Sequence, residues 1–371
     1  MKSVLFLIPT LDRGGAENVL VNLVNGMDQS KYHITVQTLF DKDSQKDKLA
    51  PGIEYRSFLY KQFHGNSRLM ARIPARLLYS LIVKKRYDIV VSYLEGPTTH
   101  ILAGCPYPDT RKVAWIHSAL DTGRGFSAGF VSKNAAIQAY NSYDKVVFVA
   151  ETVRKKIEET AEISFSNSAV LYNTLNTAEI LEQAQERISD AAFPGDVFCI
   201  VSTGKIASVK GYDRLAQIQK RLLENGYRTH VFILGEGKDR KEIEDYVKAN
   251  GFEDRFSFLG FQENPYKFVS KADLFVCSSR REGFSTAVSE ALVLGIPVVT
   301  TEVSGMKEML GENNEYGIVT ENNTDALYDG IRRLLDDPSL LAHYKQQAAE
   351  RGKSFDTART VKDVEEMLMG L

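Results

Sequence analysis

The chain has 371 residues, 43% apolar and 25% charged, with a formal net charge of −2. That length exceeds what one core usually organises, so two domains are expected, and the near-neutral balance excludes a general nucleic-acid binder. Cys105, Cys199 and Cys277 are odd in number and far apart, which fits reduced thiols in a cytosolic protein and argues against a disulfide framework or a zinc site. Charge is uneven: residues 1–194 carry +3 and residues 195–371 carry −5. The opening, MKSVLFLIPTLDRGG, holds too short an apolar run for a signal peptide. No segment approaches the ~20 apolar residues of a membrane span. A cytoplasmic chain is expected, and any membrane contact would be peripheral.

Val4 to Ile8 reads as a buried parallel strand. After the turn TLDRGG comes a helix whose apolar positions, Ala16, Val19, Leu20, Leu23, Val24 and Met27, recur at helical intervals. An alternating strand, His33 to Leu39, follows. Strand, glycine-rich turn, helix and strand begin a doubly wound sheet, in which ligands sit at the carboxyl ends of strands. Gly14 and Gly15 let backbone approach a ligand closely, although a tight turn alone would also ask for glycine. Asp41-Lys42-Asp43 has the form of a metal-binding D-x-D, but it lies in the charged run DKDSQKDK and reads as surface.

Between Tyr55 and Tyr87 there is no acidic residue, while Arg56, Lys61, Arg68, Arg72, Arg76, Lys84, Lys85 and Arg86 supply eight cations. Arg68, Arg72 and Arg76 recur every four residues, and Leu69, Ile73, Leu77 and Leu81 do so one step round. A helix here would be amphipathic and basic. Two readings stand: a solvated helix packed by its leucines, or a face of segment 56–86 docked on an anionic membrane surface. Asp88 to Tyr93 and Val113 to Ile116 are further strands, delivering Glu95 and His117 to strand ends. A neutral imidazole there can donate to or accept from a sugar hydroxyl. Gly123 to Gly129 reads as a mobile loop and Lys145 to Val149 as a strand. Ala169 to Leu171 leads to Asn173, and the polar run from Leu175 to Gly195 holds the domain boundary.

The alternation then restarts. Phe198 to Ser202 is a strand, followed by Gly204-Lys205-Ile206-Ala207-Ser208-Val209-Lys210-Gly211 and a helix, Tyr212 to Asn225. Two lysines and glycine-freed backbone ahead of a helix suit a diphosphate. His230 to Leu234 is a strand ending in Gly235-Glu236-Gly237, where a lone G-x-G is weak and turn geometry also accounts for it. The stretch CSSRREGFSTAVSEALVLGIPVVTT, from Cys277 to Thr301, organises this half. It reads as strand, polar turn, helix, strand. Glu282 lies in the entry loop and Glu290 inside the helix, roughly 12 Å apart if helical throughout. They are too distant to share a proton but suited to two parts of one extended ligand. The amides from Phe284 to Ala287 form a helix N-terminus that suits a phosphate. A surface carboxylate favoured by the helix dipole would look the same. Tyr316 to Val319 reads as the last strand, with surface helices from Ala326 to Leu335 and Leu340 to Gly352.

E-x7-E within EGFSTAVSEALVLGIPVV, together with G-K-x4-K-G at Gly204 to Gly211, resembles the retaining glycosyltransferases of family 4. The resemblance extends over essentially the whole chain. It implies an α/β protein of the GT-B fold, with two Rossmann-like doubly wound parallel-sheet domains facing each other across a cleft. Residues 1–175 would be the acceptor domain, 176–195 the linker and 196–354 the nucleotide-sugar domain, with a terminal helix, 355–371, returning to the first. The donor set implied is Gly14, Gly15, Lys205, Lys210, Gly235, Phe261, Glu282, Gly283, Phe284, Ser285, Thr286 and Glu290. Phe256 to Phe261 would pass the base, Glu290 hold the ribose and Glu282 the transferred sugar. The acceptor set is Gly15, Glu95, His117 and Asn173. Family members usually carry arginine where Lys205 stands, and lysine keeps the charge but loses the bidentate fork.

Leaving diphosphate needs its growing charge stabilised, and Lys205, Lys210 and the helix N-terminus can do so, since preorganised donors act where charge develops. The sequence carries no metal-ligand cluster in their place. Catalytic roles are expected for Lys205, Lys210, Glu282 and His117, with retention of anomeric configuration, no cofactor and UDP as the favoured nucleotide. The expected partners are a nucleotide sugar and a saccharide acceptor linked to polyprenyl diphosphate, in cell-surface polysaccharide synthesis. The competing reading is a nucleotide-sugar epimerase of the same two-domain fold. A dinucleotide-dependent dehydrogenase would need G-x-G-x-x-G near Gly14, which is absent. A two-lobed sugar-binding protein would need an export signal.

Overall fold

The structure is a computed structural model that describes the whole chain except residues 13, 42–44, 60–64, 119–122, 189–192 and 194–196. Lys61 and most of the Asp41-Lys42-Asp43 stretch therefore lie outside the described residues. The chain divides into two units, Met1–Leu175 with Thr357–Leu371, and Asn176–Asp356. The segment expected as a linker, 176–195, contributes a helix, Thr177–Gln183, to the second unit.

The first unit contains β1 (Lys2–Ile8), β2 (Tyr32–Phe40), β3 (Glu54–Leu59), β4 (Ile89–Ser92), β5 (Arg111–Ile116), β6 (Lys145–Phe148) and β7 (Ser168–Val170). They form one sheet in the order β3-β2-β1-β4-β5-β6-β7, every neighbouring pair parallel. Val4 to Ile8 in β1 are completely buried, because parallel strands covered by helices on both faces read as continuous apolar runs. The last helix, Thr357–Met369, belongs to this unit. Val361 packs against Gly26, the Glu365 carboxylate accepts from the Asp28 amide at 2.6 Å, and Thr357 Oγ1 donates to the Leu175 carbonyl at 2.7 Å.

The second unit contains β8 (Phe198–Thr203), β9 (Thr229–Leu234), β10 (Phe256–Gly260), β11 (Leu274–Cys277), β12 (Val298–Thr301) and β13 (Ile318–Thr320). Their order is β10-β9-β8-β11-β12-β13, again all parallel. Strand order therefore reverses beside β1 in one sheet and beside β8 in the other. In open α/β sheets a crevice for ligands forms at the carboxyl ends of the strands flanking such a switch point. The loops after β8 and β11 carry Lys205, Lys210 and Glu282. Those after β1 and β4 carry Gly14, Gly15 and Glu95.

Three local expectations need correction. The basic segment is two helices, Asn66–Arg72 and Ala75–Ile82, interrupted at Ile73 and Pro74, because proline lacks an amide and restrains the residue before it. Leu69, Leu77 and Leu81 are not the packing face. Met70, Ala71, Leu78, Tyr79 and Ile82 are buried, while Leu69, Leu77 and Leu81 are 52%, 52% and 46% exposed beside Arg68, Arg72, Arg76 and Lys84. Gly123 to Gly129, expected as a mobile loop, opens with a helical turn, Gly123–Phe126. Phe126 is buried there and stacks on Tyr140 at 5.2 Å. Helices Thr324–Asp336 and Pro338–Gly352 are also less superficial than expected, since Leu327, Ile331, Leu334 and Ala348 are buried.

Candidate active site

In the second unit, the chain leaving β8 makes a short 3-10 turn, Ser208–Lys210, and reverses through Gly211 at φ +69° into the helix Tyr212–Glu224. A Cβ at Gly211 would stand 2.0 Å from the Ser278 carbonyl oxygen, so only glycine admits this approach. Ser278, just after β11, donates through Oγ to the Lys210 carbonyl at 2.9 Å. The two switch-point loops are thus stitched together, and their side chains converge. Lys210 Nζ is 2.7 Å from Glu282 Oε1, which also accepts from Ser279 Oγ at 2.5 Å. Burial would pull the Lys210 ammonium down, but the Glu282 charge and hydrogen bond outweigh it, and its pKa is raised. A recess between the loops is lined by Ser202, Lys210, Cys277, Ser279, Glu282 and Ser285.

Lys205 is exposed on the same loop. Ser285 caps the helix Thr286–Val293, its Oγ accepting from the Val288 amide at 3.4 Å. Phe284 is buried against Phe355 with ring centroids 6.3 Å apart, which fixes how the entry loop meets the helix. Gly283 and Thr286 are half-buried. Glu290 lies within the helix, and burial pushes its carboxyl up to about 7, the Tyr266 hydroxyl beside it acting in the opposite direction. Gly235 has a backbone reason to be glycine: at φ +147° a Cβ there would stand 2.0 Å from the Gly204 carbonyl oxygen. Phe261 is exposed.

In the first unit, Gly14 is the N-cap of the helix Gly15–Gly26, and the Glu17 carboxylate folds back to where a Gly14 side chain would begin. Glu95 and His117 are brought together after β4 and β5, the His117 amide donating to Glu95 Oε2 at 2.9 Å. Burial raises the Glu95 carboxyl and pulls the His117 imidazole down to about 3. His117 is therefore neutral across the physiological range. Its ring lies 4.7 Å from Tyr93 and 6.2 Å from Trp115, and His117 Nε2, Tyr93 Oη and Trp115 Nε1 are buried without a hydrogen-bond partner among the described residues. Asn173 is buried.

Sequence reading found Lys210 and Glu282 but not Ser279, which positions the carboxylate, nor the Tyr93 and Trp115 walls of His117. Serine and aromatic residues near strand ends are too common to stand out. Among the described residues, no group of three or more His, Cys, Asp or Glu is arranged to hold a metal ion.

Comparison with known proteins gives two family matches: "Glycosyltransferase Family 4" over residues 13–179 and "Glycosyl transferases group 1" over residues 183–351. A Campylobacter jejuni relative is the N-acetylgalactosamine-N,N'-diacetylbacillosaminyl-diphospho-undecaprenol 4-alpha-N-acetylgalactosaminyltransferase. It is 30% identical over 62% of this chain, and the match spans 61% of that enzyme. Anabaena HepE (Alr3699), solved in complex with UDP and with UDP-glucose, superposes with a TM-score of 0.76 at 19% identity over 100% of both chains. Sucrose-phosphate synthase of Thermosynechococcus elongatus gives a TM-score of 0.80 at 14% identity, covering 100% of this chain and 99% of that one.

Proposed function

Since the chain belongs to glycosyltransferase family 4 and has the GT-B fold of two Rossmann-like units, we propose that it transfers a hexose-type sugar with retention. The donor would be a nucleotide-diphosphate sugar, with UDP favoured, and the acceptor a hydroxyl of a saccharide carried on polyprenyl diphosphate. The observation that carries this reading is the convergence of Lys210 and Glu282 at the switch point of the second sheet. A cation and a carboxylate set side by side suit the leaving diphosphate and the hydroxyls of the departing sugar. Lys205, exposed on the same loop, would add charge. As the C1–oxygen bond to the diphosphate breaks, negative charge grows on phosphate oxygens that these donors stabilise without reorganising. The acceptor oxygen then bonds to C1 on the same face, and its proton passes to the departing diphosphate. Lysine and helix amides would carry the charge without a metal. Glu95 and neutral His117 would orient sugar or acceptor hydroxyls.

The relative's undecaprenyl-linked acceptor supports a lipid-linked one here, in cell-surface polysaccharide synthesis. A panel of nucleotide sugars screened by melting temperature should give one clear stabiliser, since binding at 100-fold over Kd adds about 2.7 kcal/mol. That donor, incubated with polyprenyl-diphosphate saccharide, should yield a product whose anomeric configuration by NMR matches the donor's. An inverted product refutes retention. Isomerised donor without an acceptor would identify an epimerase instead.

Such an acceptor places the enzyme at a membrane, yet no described helix is long and apolar enough to cross one. The exposed cations and leucines of Asn66–Arg72 and Ala75–Ile82 would dock on anionic lipid at the cytoplasmic face, each cation adding about 1 kcal/mol. Co-sedimentation is expected with vesicles containing anionic lipid and not with neutral ones, and Arg68, Arg72 and Arg76 changed together to Glu should abolish it. Equal binding to both vesicle types, or to neither, removes this face from the proposal.

A further inference from the structure

Arg280 is not among the residues that line the recess, and nothing so far explains its bonding. Its backbone amide donates to the Val209 carbonyl at 2.7 Å. Its guanidinium donates through Nη1 to the Ser208 carbonyl at 2.6 Å, and forks onto Asp213 with Nη1–Oδ1 at 2.7 Å and Nη2–Oδ2 at 2.6 Å. With Ser278 Oγ on the Lys210 carbonyl, three successive carbonyls, of Ser208, Val209 and Lys210, accept from two residues, Ser278 and Arg280. Asp213 stands in the first turn of the helix that follows. The guanidinium therefore ties the start of the Lys210 turn to the helix beyond it. On its other side the Arg280 carbonyl accepts from Asn322 Nδ2 at 3.2 Å, and Asn322 Oδ1 accepts from Arg214 Nη1 at 2.7 Å.

The pair has little value as a source of stability. The Arg280 and Asp213 side chains are 37% and 46% exposed, and exposed ion pairs contribute little. Its effect is geometric: a planar fork that matches a carboxylate, with a donor left for a carbonyl, holds one backbone shape where an ammonium would not. The same short segment carries Ser279, which bonds to Glu282. The element that sets the carboxylate thus also sets the ammonium.

We infer that Arg280 and Asp213 are positioning residues that hold the Ser208–Lys210 turn in the shape that presents the Lys210 ammonium to a diphosphate. The inference rests on the reading of Lys210 as a diphosphate ligand. Its specific consequence is non-additivity, because a residue that acts only through Lys210 has nothing to do once Lys210 is gone.

The test titrates the full chain with inorganic pyrophosphate by calorimetry in a double-mutant cycle. Arg280→Ala is expected to weaken affinity roughly ten-fold in the native background and less than about two-fold in the Lys210→Ala background, a coupling within the range of groups acting as a unit. Arg280→Lys should behave like Arg280→Ala, since the charge remains but the fork is lost, and melting temperature should be nearly unchanged in both. Equal losses in the two backgrounds, or full rescue by lysine, would show Arg280 to be a direct phosphate ligand or a general stabiliser and overturn the inference alone. If Lys210→Ala itself leaves pyrophosphate affinity untouched, the diphosphate reading falls and this inference with it.

Discussion

Lys210→Ala is expected to lower turnover roughly 100-fold or more, the scale on which removing one preorganised donor from a developing anion acts. The ammonium is held at both ends of its residue: its backbone carbonyl is tied to Ser278, and its Nζ rests 2.7 Å from Glu282. Glu282 compensates for the desolvation that would otherwise discharge it, so the charge is in place before any substrate arrives. Its alanine replacement also leaves the Glu282 carboxylate without its cation, which adds an affinity loss for the sugar to the loss in turnover. Lys210→Arg keeps the charge, and partial activity there would separate charge from loop collapse. Steady-state kinetics with the stabilising donor decides the matter. Activity of Lys210→Ala within a few-fold of the native enzyme would mean that the diphosphate departs elsewhere.

Glu290→Gln is expected to do two opposite things. The Glu290 carboxyl has an ordinary value of 4.5 and is pushed up to about 7 by burial. A carboxyl whose folded pKa is raised binds its proton more tightly in the fold. The fold is therefore favoured at low pH, and the penalty for ionising grows from about pH 4.5 and is complete above about 7. Glutamine removes that penalty at nearly the same shape. Because Glu290 is only half-buried, the gain above pH 7 is on the order of 1–2 kcal/mol. That gain corresponds to a few degrees of melting temperature for a unit of this size. At pH 4.5 the variant and the native protein should melt together. The same change should weaken a ribonucleoside diphosphate roughly 10-fold or more, because hydrogen bonds to a charged acceptor are worth about 1.5–3 kcal/mol, and a 2′,3′-dideoxy analogue should not register the difference. Native affinity should itself fall as pH drops through 7. A variant that binds as tightly as the native chain would refute the expectation that Glu290 holds a ribose.

How much of this was legible depends on distance along the chain. Glu282 and Glu290 sit in one continuous strand-loop-helix, so their spacing could be read directly, as could the Gly204 to Gly211 loop. Strand order could not. That β8 lies between β9 and β11, and so makes a switch point, depends on pairings that leave no mark in either segment. The bonds of Arg280 to Ser208 and Asp213 join residues some 70 positions apart, and neither residue type is unusual where it stands. The leucines of the basic segment show a different failure. Their four-residue recurrence was real, but it marked the outward face, since Pro74 breaks the helix and Leu78, Tyr79 and Ile82 take the inward side. Periodicity gives a stripe, not the direction in which it points.

The helix Thr357–Met369 has a consequence for the order in which the protein is made. Because it completes the unit that begins at Met1, residues 176–356 interrupt that unit, and all of them leave the ribosome before its last helix does. Domains fold as units, and the later-encoded lobe has all of its residues before the earlier one does. The earlier one waits with the surface around Gly26 and Tyr32 uncovered. A released chain truncated after Asp356 would hold one closed lobe and one still exposing the apolar strip that Val361 and its neighbours cover.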